Sequence, residues 1–483
     1  MTAHTLYAQQ AVLGAGDALE IAPALIRTAG SRIVSVARGT RDELERDGQW
    51  PSDVDVDLLD ERTLLAPAFI NAHTHLAMVV FRGLELEAMH GNVVEDLYYR
   101  VERNVTAADV EAFARLGAYD CLLGGQAMVF DHYYHGDAVA RACRDVGIGA
   151  VIAPTLQDSG GPGEALCEQG LRETADIDAD SALAERGIVS CLGPHASDTV
   201  SDELFARALA LADSRSLPLH LHAAQSLEEH QRSHQRHGCS PFARLARLGV
   251  MGGADGDATR PGALLVHALY ASDADLALVG ERDMLGYCPY GQVCFDHPAA
   301  VFQWLDLRCR VALGTDCAGA NDGMNVQQEL RAVAAAFAFG TAHSSAHQAF
   351  EQSGEAEAAS AVRETRQRWL ERGKQHLVPA RLLASVWSQP GSLHPRARAG
   401  VIEPGALANL TLFDCAHPAL WPARDPLRAL VWGDAASAVT HVLVAGHWRG
   451  ERGNFARSLL DSDDYREARA EADRRLTELL DRL

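Results

Sequence analysis

The stretch Pro67-Ala68-Phe69-Ile70-Asn71-Ala72-His73-Thr74-His75-Leu76 sets the terms for the whole chain. It is a short, mostly apolar run that closes on two histidines at i and i+2. Side chains alternate along a strand with a period of two, so both imidazoles leave the same face of its end. Two imidazoles on one face can reach one ion; neutral imidazole is the commonest protein ligand for metals and suits both zinc and iron. Alone, His-x-His is a weak signal, equally compatible with two packed or surface histidines.

Working outward, other apolar runs end in the same way. Leu219-His220-Leu221-His222 closes one, Val266-His267 a second, and Leu313-Gly314-Thr315-Asp316 a third. Further short apolar runs are Gln126-Ala127-Met128-Val129-Phe130, Gly149-Ala150-Val151-Ile152-Ala153 and Leu217-Pro218-Leu219-His220-Leu221. Ala263-Leu264-Leu265-Val266 and Arg310-Val311-Ala312-Leu313 continue the series. Strands alternating with helical patterns of about 10–15 residues predict a parallel α/β fold. In a parallel barrel, chemistry sits at the C-terminal ends of the strands. Four strand ends carrying His or Asp therefore read as one metal site.

The flanks have a different texture. Residues 1–66 read as short strands and turns, with Ser31-Arg32-Ile33-Val34-Ser35-Val36-Ala37 the clearest strand. Strand texture returns over 400–450, notably at His441-Val442-Leu443-Val444-Ala445-Gly446. The two β-rich ends are candidates to pair in one small sheet. Residues 335–376 read as a charged helical extension or lid. Residues 461–483 read as an amphipathic helix, either solvated or a contact of a homodimer.

Composition narrows the function classes. The chain has 483 residues, 47% apolar and 22% charged, which is ordinary for a globular protein. Forty-three basic residues against 65 acidic give a net charge of -22, which argues against nucleic acid as a partner. No apolar run is long enough for a membrane span, and Met1-Thr2-Ala3-His4 lacks a signal-peptide pattern. Ten scattered cysteines suit reduced thiols and a cytoplasmic location. Lys374 is the single lysine, so no Walker loop exists and Schiff-base chemistry would have to use that residue.

The Pro-x-Phe-x-Asn-x-His-x-His segment, the second His-x-His, the Val-His and the Gly-Thr-Asp together resemble the amidohydrolase superfamily. The resemblance is to its cytosine-deaminase-related branch: S-adenosylhomocysteine/methylthioadenosine deaminases, 8-oxoguanine deaminases and triazine hydrolases. It extends over nearly the whole chain, including Gly405-Ala406-Leu407-Ala408-Asn409-Leu410-Thr411-Leu412-Phe413-Asp414. It implies a (β/α)8 TIM-type barrel at 67–395, and a small β-sandwich built from 1–66 and 396–455. Residues 456–483 form a C-terminal helix. It implies His73, His75, His222 and Asp316 as ligands of one divalent metal ion, zinc ahead of iron. His267 would contact the attacking water or the substrate, and His195 would bind substrate. Binuclear members use a bridging carboxylated lysine. Lys374, the only lysine, lies beyond the last predicted barrel strand, so one metal is expected.

The expected reaction is hydrolytic deamination of a small heterocycle (purine-, pterin-, pyrimidine- or triazine-like), with Asp316 moving the water's proton to the leaving amine. One departure bears on it. Relatives usually show His-x-x-Glu after the fifth strand, and here the segment is His222-Ala223-Ala224-Gln225. An amide donates a hydrogen bond but is no general acid at neutral pH. Gln225 is therefore counted with Asp316 and His267 among the catalytic residues as a hydrogen-bonding group only, and with His195 and His267 among those that bind substrate. The proton transfers fall to Asp316 and His267, to a displaced acid such as Glu228 or Glu229, or are not needed by the substrate. The last case covers a halide leaving group or a cyclic amide. A non-catalytic, metal-bound binding protein is the rival outside enzymes. The segment Gly286-Tyr287-Cys288-Pro289-Tyr290-Gly291-Gln292 also departs from the relatives' His-Cys-Pro-x-Ser-Asn, which points to an altered pocket. Asp131-His132-Tyr133-Tyr134-His135 either lines that pocket or packs. His230 and His234 lack the zinc-protease glutamate and read as a solvated helix face. Cys288 and Cys294 do not have zinc-knuckle spacing.

Overall fold

The computed structural model describes residues 2–84, 92–251, 260–291, 299–342 and 344–483, with backbone only at 336–342. Five strands come from the N-terminal end: β1 (Ala3–Leu13), β2 (Glu20–Ala29), β3 (Arg32–Arg38), β4 (Asp57–Leu58) and β5 (Thr63–Pro67). Nine follow in the central region: β6 (Phe69–Thr74), β7 (Gln126–Tyr133), β8 (Gly149–Leu156), β9 (Ile188–Ser190), β10 (Gly193–Pro194), β11 (Leu219–Ala223), β12 (Ala263–His267), β13 (Met284–Tyr287) and β14 (Val311–Leu313). The C-terminal part adds β15 (Leu410–Asp414), β16 (Val439–Val444) and β17 (His447–Arg449).

The central strands pair in parallel, with helices such as Ala107–Leu123, Gly136–Val146 and Asp202–Arg215 between them. Every residue of β6, β7, β8, β11 and β12 is buried, as parallel strands covered on both faces must be. β6 to β10 form one sheet and β11 to β14 another. Single parallel bridges link them at both margins: Thr74 with Asp316 on one side, Leu192 with Leu219 and Ala196 with His222 on the other. The expected strand at 217 begins instead at Leu219, because Pro218 has no N–H to give to a ladder.

The two β-rich ends do meet. They form one eight-stranded sheet in the order β17-β16-β15-β5-β1-β2-β3, with β4 against β1. β5 runs antiparallel to β15, pairing Pro67 with Leu410. Two residues later β6 begins, so this pairing sets the entry to the strand that carries His73 and His75. At the junction Phe69 stacks on Trp387 (ring centroids 5.9 Å) and meets Phe413 edge-on at 6.0 Å. The Ile70 N–H donates to the Val386 carbonyl at 2.8 Å, closing the same corner.

The region 335–376 is helical, in Val326–Ala342, Ser345–Ser353 and Ala356–His376. Lys374 stands exposed on the last of these. The terminal helix Asp463–Arg482 is not solvated all round. It buries Ala468, Ala472 and Leu479, and its Arg482 donates to the fully buried Asp109 of helix Ala107–Leu123 at 2.5 Å. Among the described residues no helix is long and apolar enough to cross a membrane.

Trp387 is 1% exposed and backs the strand that leads to the first histidine pair. Trp387→Ala is expected to cost about 3–5 kcal/mol of stability, read as a lower denaturant midpoint.

Candidate metal centre and active-site cavity

The strand ends deliver His73, His75, His222, His267 and Asp316 to one buried cluster. Ligand-capable atoms of His73, His75 and His222 lie within 4.8 Å of one another, as do those of His73, His267 and Asp316. Asp316 Oδ1 is 3.3 Å from His75 Nε2 and 3.6 Å from His73 Nε2, and Oδ2 is 3.7 Å from His267 Nε2. These two triads are the only such groups among the described residues. His230 and His234 have rings 4.8 Å apart, on a helix that adds no side chain to the cavity described below.

Each ligand-candidate histidine is oriented through its Nδ1. His75 Nδ1 donates to the His132 carbonyl at 2.5 Å, and His222 Nδ1 donates to the His195 carbonyl at 2.8 Å. A carbonyl only accepts, so in both rings Nδ1 carries the proton and Nε2 keeps its lone pair. His73 Nδ1 lies 2.8 Å from Nε2 of His220, a fully buried residue of β11. His73 Nε2 is itself buried and has no hydrogen-bond partner among the described residues. Converging Nε2 lone pairs, an orphaned buried nitrogen and an adjacent carboxylate are the donor set of a divalent ion, and the residues fit one.

The electrostatics agree for His222, His267 and His195, while at His75 burial is outweighed by the Asp316 carboxylate, which raises the pKa. Burial, then crowding by His132 and His73, holds His222 well below the usual histidine range. Burial pushes His267 down to about 3 and His195 down to about 4. These rings are neutral at physiological pH. Burial raises Asp316, but the imidazoles of His73 and His75 outweigh it and keep its pKa well below the carboxylate range. It is an anion.

Local backbone explains the motif residues. A Cβ on Gly314 would stand 2.6 Å from the His73 carbonyl oxygen, so only glycine lets β14 approach β6 this closely. Asp316 and His267 hold left-handed backbone, φ 60° and 80°. Such strain costs on the order of 1–3 kcal/mol per residue and concentrates at functional sites.

A cavity opens beside the cluster. His75, His222 and Asp316 line it on one side; His132, Tyr133, Tyr134, His195 and Gln225 line it further out, with Tyr98, Tyr99 and Glu102. Of the Asp131–His135 run, three residues face the cavity. Asp131 instead accepts from the Leu76 N–H at 2.6 Å, fixing the turn after His75. Gln225 lines the cavity; His267, expected to contact water or substrate, is not among its lining residues but lies 3.7 Å from Asp316 Oδ2. The displaced-acid candidates do not line it. Glu228 is exposed. Glu229 is buried and accepts from the Gln225 N–H at 2.7 Å and from Ser197 Oγ at 2.6 Å. Burial first, then Asp198, pushes it up to about 7. It braces the loop of Gln225. Tyr290 of the altered segment donates its N–H to the buried Glu329 at 3.1 Å, and a Cβ on Gly291 would meet Asp316 at 3.2 Å. Gln292 and Cys294 lie outside the described residues.

Glu102 was not singled out by its sequence. It sits in Val101-Glu102-Arg103, a charged run with the look of a solvated helix. It is 8% exposed and lines the cavity, where the Tyr133 hydroxyl works against burial in setting its pKa.

The model of the amidohydrolase family matches residues 64–449. The chain belongs to the amidohydrolase family. This amidohydrolase is 25% identical to a 5'-deoxyadenosine deaminase of Methanopyrus kandleri, over 91% of this chain and 92% of that protein. It is 26% identical to a 5-methylthioadenosine/S-adenosylhomocysteine deaminase of Haloarcula marismortui, over 86% and 87%. Among solved structures it superposes on a zinc-bound adenosine deaminase from Xanthomonas campestris with TM-score 0.74, 23% identity and 98% of both chains covered. A zinc complex of atrazine chlorohydrolase from Arthrobacter aurescens gives TM-score 0.74 at 18% identity, covering 98% and 99%. The amidohydrolase shares its fold with both.

Loss of the acceptor at His220 should free the His73 ring. His220→Leu is expected to weaken divalent-ion affinity by about 10–100-fold in chelator competition. Asp316→Asn should abolish turnover while the circular dichroism spectrum and melting transition persist.

Proposed function

We propose that this amidohydrolase is a mononuclear metal-dependent hydrolase that removes ammonia from an amino-substituted nitrogen heterocycle. His73, His75, His222 and Asp316 hold one divalent ion, zinc ahead of iron. The two parallel sheets, bridged at both margins, act as one (β/α)8 barrel over 67–395. Residues 1–66 and 396–455 make up the β-sandwich, and 456–483 the C-terminal helix. The observation that carries the reading is the convergence of strand-end imidazole nitrogens and one anionic carboxylate beside a cavity walled by tyrosines and neutral histidines. The deaminase names among the relatives point the same way.

The ion supplies a hydrolytic water acidified to a pKa of roughly 7. Asp316, kept ionised, takes the water's proton and passes it to the departing amine. His267, against Asp316 Oδ2, steadies the oxygen that develops charge. His195, with Nδ1 held by Thr199 at 2.8 Å, and Gln225 position the heterocycle. The free cysteines among the described residues suit a reducing cytoplasm. One observation favours a second reading: Gln225 offers no acid to a ring nitrogen, which suits a leaving group that needs no ring protonation, such as halide.

Among the described residues no lysine or arginine lines the cavity, and the stretches 85–91, 252–259 and 292–298 contain none. This lining suits an uncharged heterocycle without phosphate or carboxylate. A panel of purines, pterins, pyrimidines, triazines and nucleosides assayed for ammonia is expected to give release from at least one neutral amine. Its phosphorylated analogue should show kcat/KM lower by about tenfold or more, since like charges repel across a net charge of -22. Product without ammonia would select the second reading. No turnover on any member, with a full complement of metal, would leave a binding protein.

A further inference from the structure

Among the described residues the cavity holds one carboxyl that neither the ligand set nor the loop bracing uses. We propose that Glu102 is the catalytic acid that protonates the substrate's ring nitrogen, in the role that Gln225 cannot fill. The proposal rests on the deaminase reading.

Three observations carry it. Glu102 lines the same cavity as Asp316, His195 and Gln225, so a heterocycle seated there is shared by all four. It lies close to the reacting end: both the Tyr133 hydroxyl and His75 are near enough to shift its pKa, and the Tyr133 ring is 6.3 Å from that of His75. The two acids after the fifth-strand histidine do not serve: Glu228 is exposed and Glu229 is bound to Ser197 and the Gln225 backbone. The groups that act on Glu102 electrically are Tyr133, Tyr134 and Tyr99, all raised and neutral, and His75. Burial outweighs the lowering by Tyr133 and His75 and pushes Glu102 up to about 7, so a good share carries a proton at neutral pH.

The protons balance. As the water oxygen bonds to the amino-bearing carbon, Asp316 takes one of its protons and Glu102 gives its own to the adjacent ring nitrogen. The carbon–nitrogen bond to the amine then breaks, and Asp316 returns its proton to form ammonia. The hydroxyl on carbon becomes a carbonyl, and its proton reprotonates Glu102. The sum is heterocyclic amine plus water to oxo-heterocycle plus ammonia.

The test uses the metal-loaded full chain and the best neutral substrate from the panel. Glu102→Gln is expected to lower kcat by about 100-fold or more with KM within about threefold and metal content unchanged. Adding Gln225→Glu to that variant should restore kcat by about tenfold or more. A substrate already methylated and cationic at the ring nitrogen needs no such proton, so wild type and Glu102→Gln should turn it over within about threefold of each other. Should the variant fold poorly, the wild type alone decides: kcat should fall at alkaline pH on the ordinary substrate and not on the methylated one. Glu102→Gln that keeps kcat within about threefold, or that loses only through KM, overturns the acid role and leaves the deaminase reading intact. No rescue by Gln225→Glu, or an equal loss on the methylated substrate, does the same. Absence of ammonia from every heterocycle with the wild type overturns both.

Discussion

A single parallel bridge between Thr74 and Asp316 is the constraint on which the site depends. It joins the first strand of the central region to the end of the last, across more than half of the chain. Its parts are specific: the Asp316 N–H donates to the His73 carbonyl at 3.1 Å, Thr74 Oγ1 donates to the Asp316 carbonyl at 3.0 Å, and Gly314 makes room for both. Asn71 adds a clamp, giving Nδ2 to Thr315 Oγ1 at 2.8 Å and accepting from the Thr315 N–H at 3.1 Å. Without this seam the carboxylate and the first histidine pair would have no reason to meet. The bridges at Leu192 and Ala196 bring His222 in from the other margin.

The seam also concentrates cost. Four imidazoles and a carboxylate are buried together, two residues hold left-handed backbone, and burial penalises every charge placed there. The surrounding layers offset this. Phe69, Trp387 and Phe413 form an apolar plug at the base of β6, while backbone carbonyls of His132 and His195 absorb the imidazole protons. Burial holds His73, His222 and His267 below the usual histidine range, while Asp316 stays ionised and in turn raises His75. Stability of the sheet corner and readiness of the site are thus one problem solved by one set of contacts.

Much of this was legible in the chain. Strand ends marked by His or Asp announced both the parallel fold and the cluster, because a period of two and a polar terminus are local properties. Gly-Thr-Asp was legible for the same reason. What could not be read were groups whose part depends on burial by distant segments. Glu102 and Glu229 look like solvated helical acids until tertiary contacts with Tyr133 and Ser197 enclose them. Asp131 gave no hint that it would fasten the turn after His75, and nothing in the Leu219-His220-Leu221-His222 run showed that His220 would sit against His73. The terminal helix read as solvated or intermolecular, because nothing local reveals that Asp109 awaits Arg482.

The account stands or falls on whether those side chains share one ion. Anomalous diffraction from crystals grown with zinc addresses this directly. One peak per chain is predicted, about 2.0–2.2 Å from Nε2 of His73, His75 and His222 and from a carboxylate oxygen of Asp316. A peak elsewhere, two adjacent peaks, or none at a zinc concentration that saturates activity would contradict it.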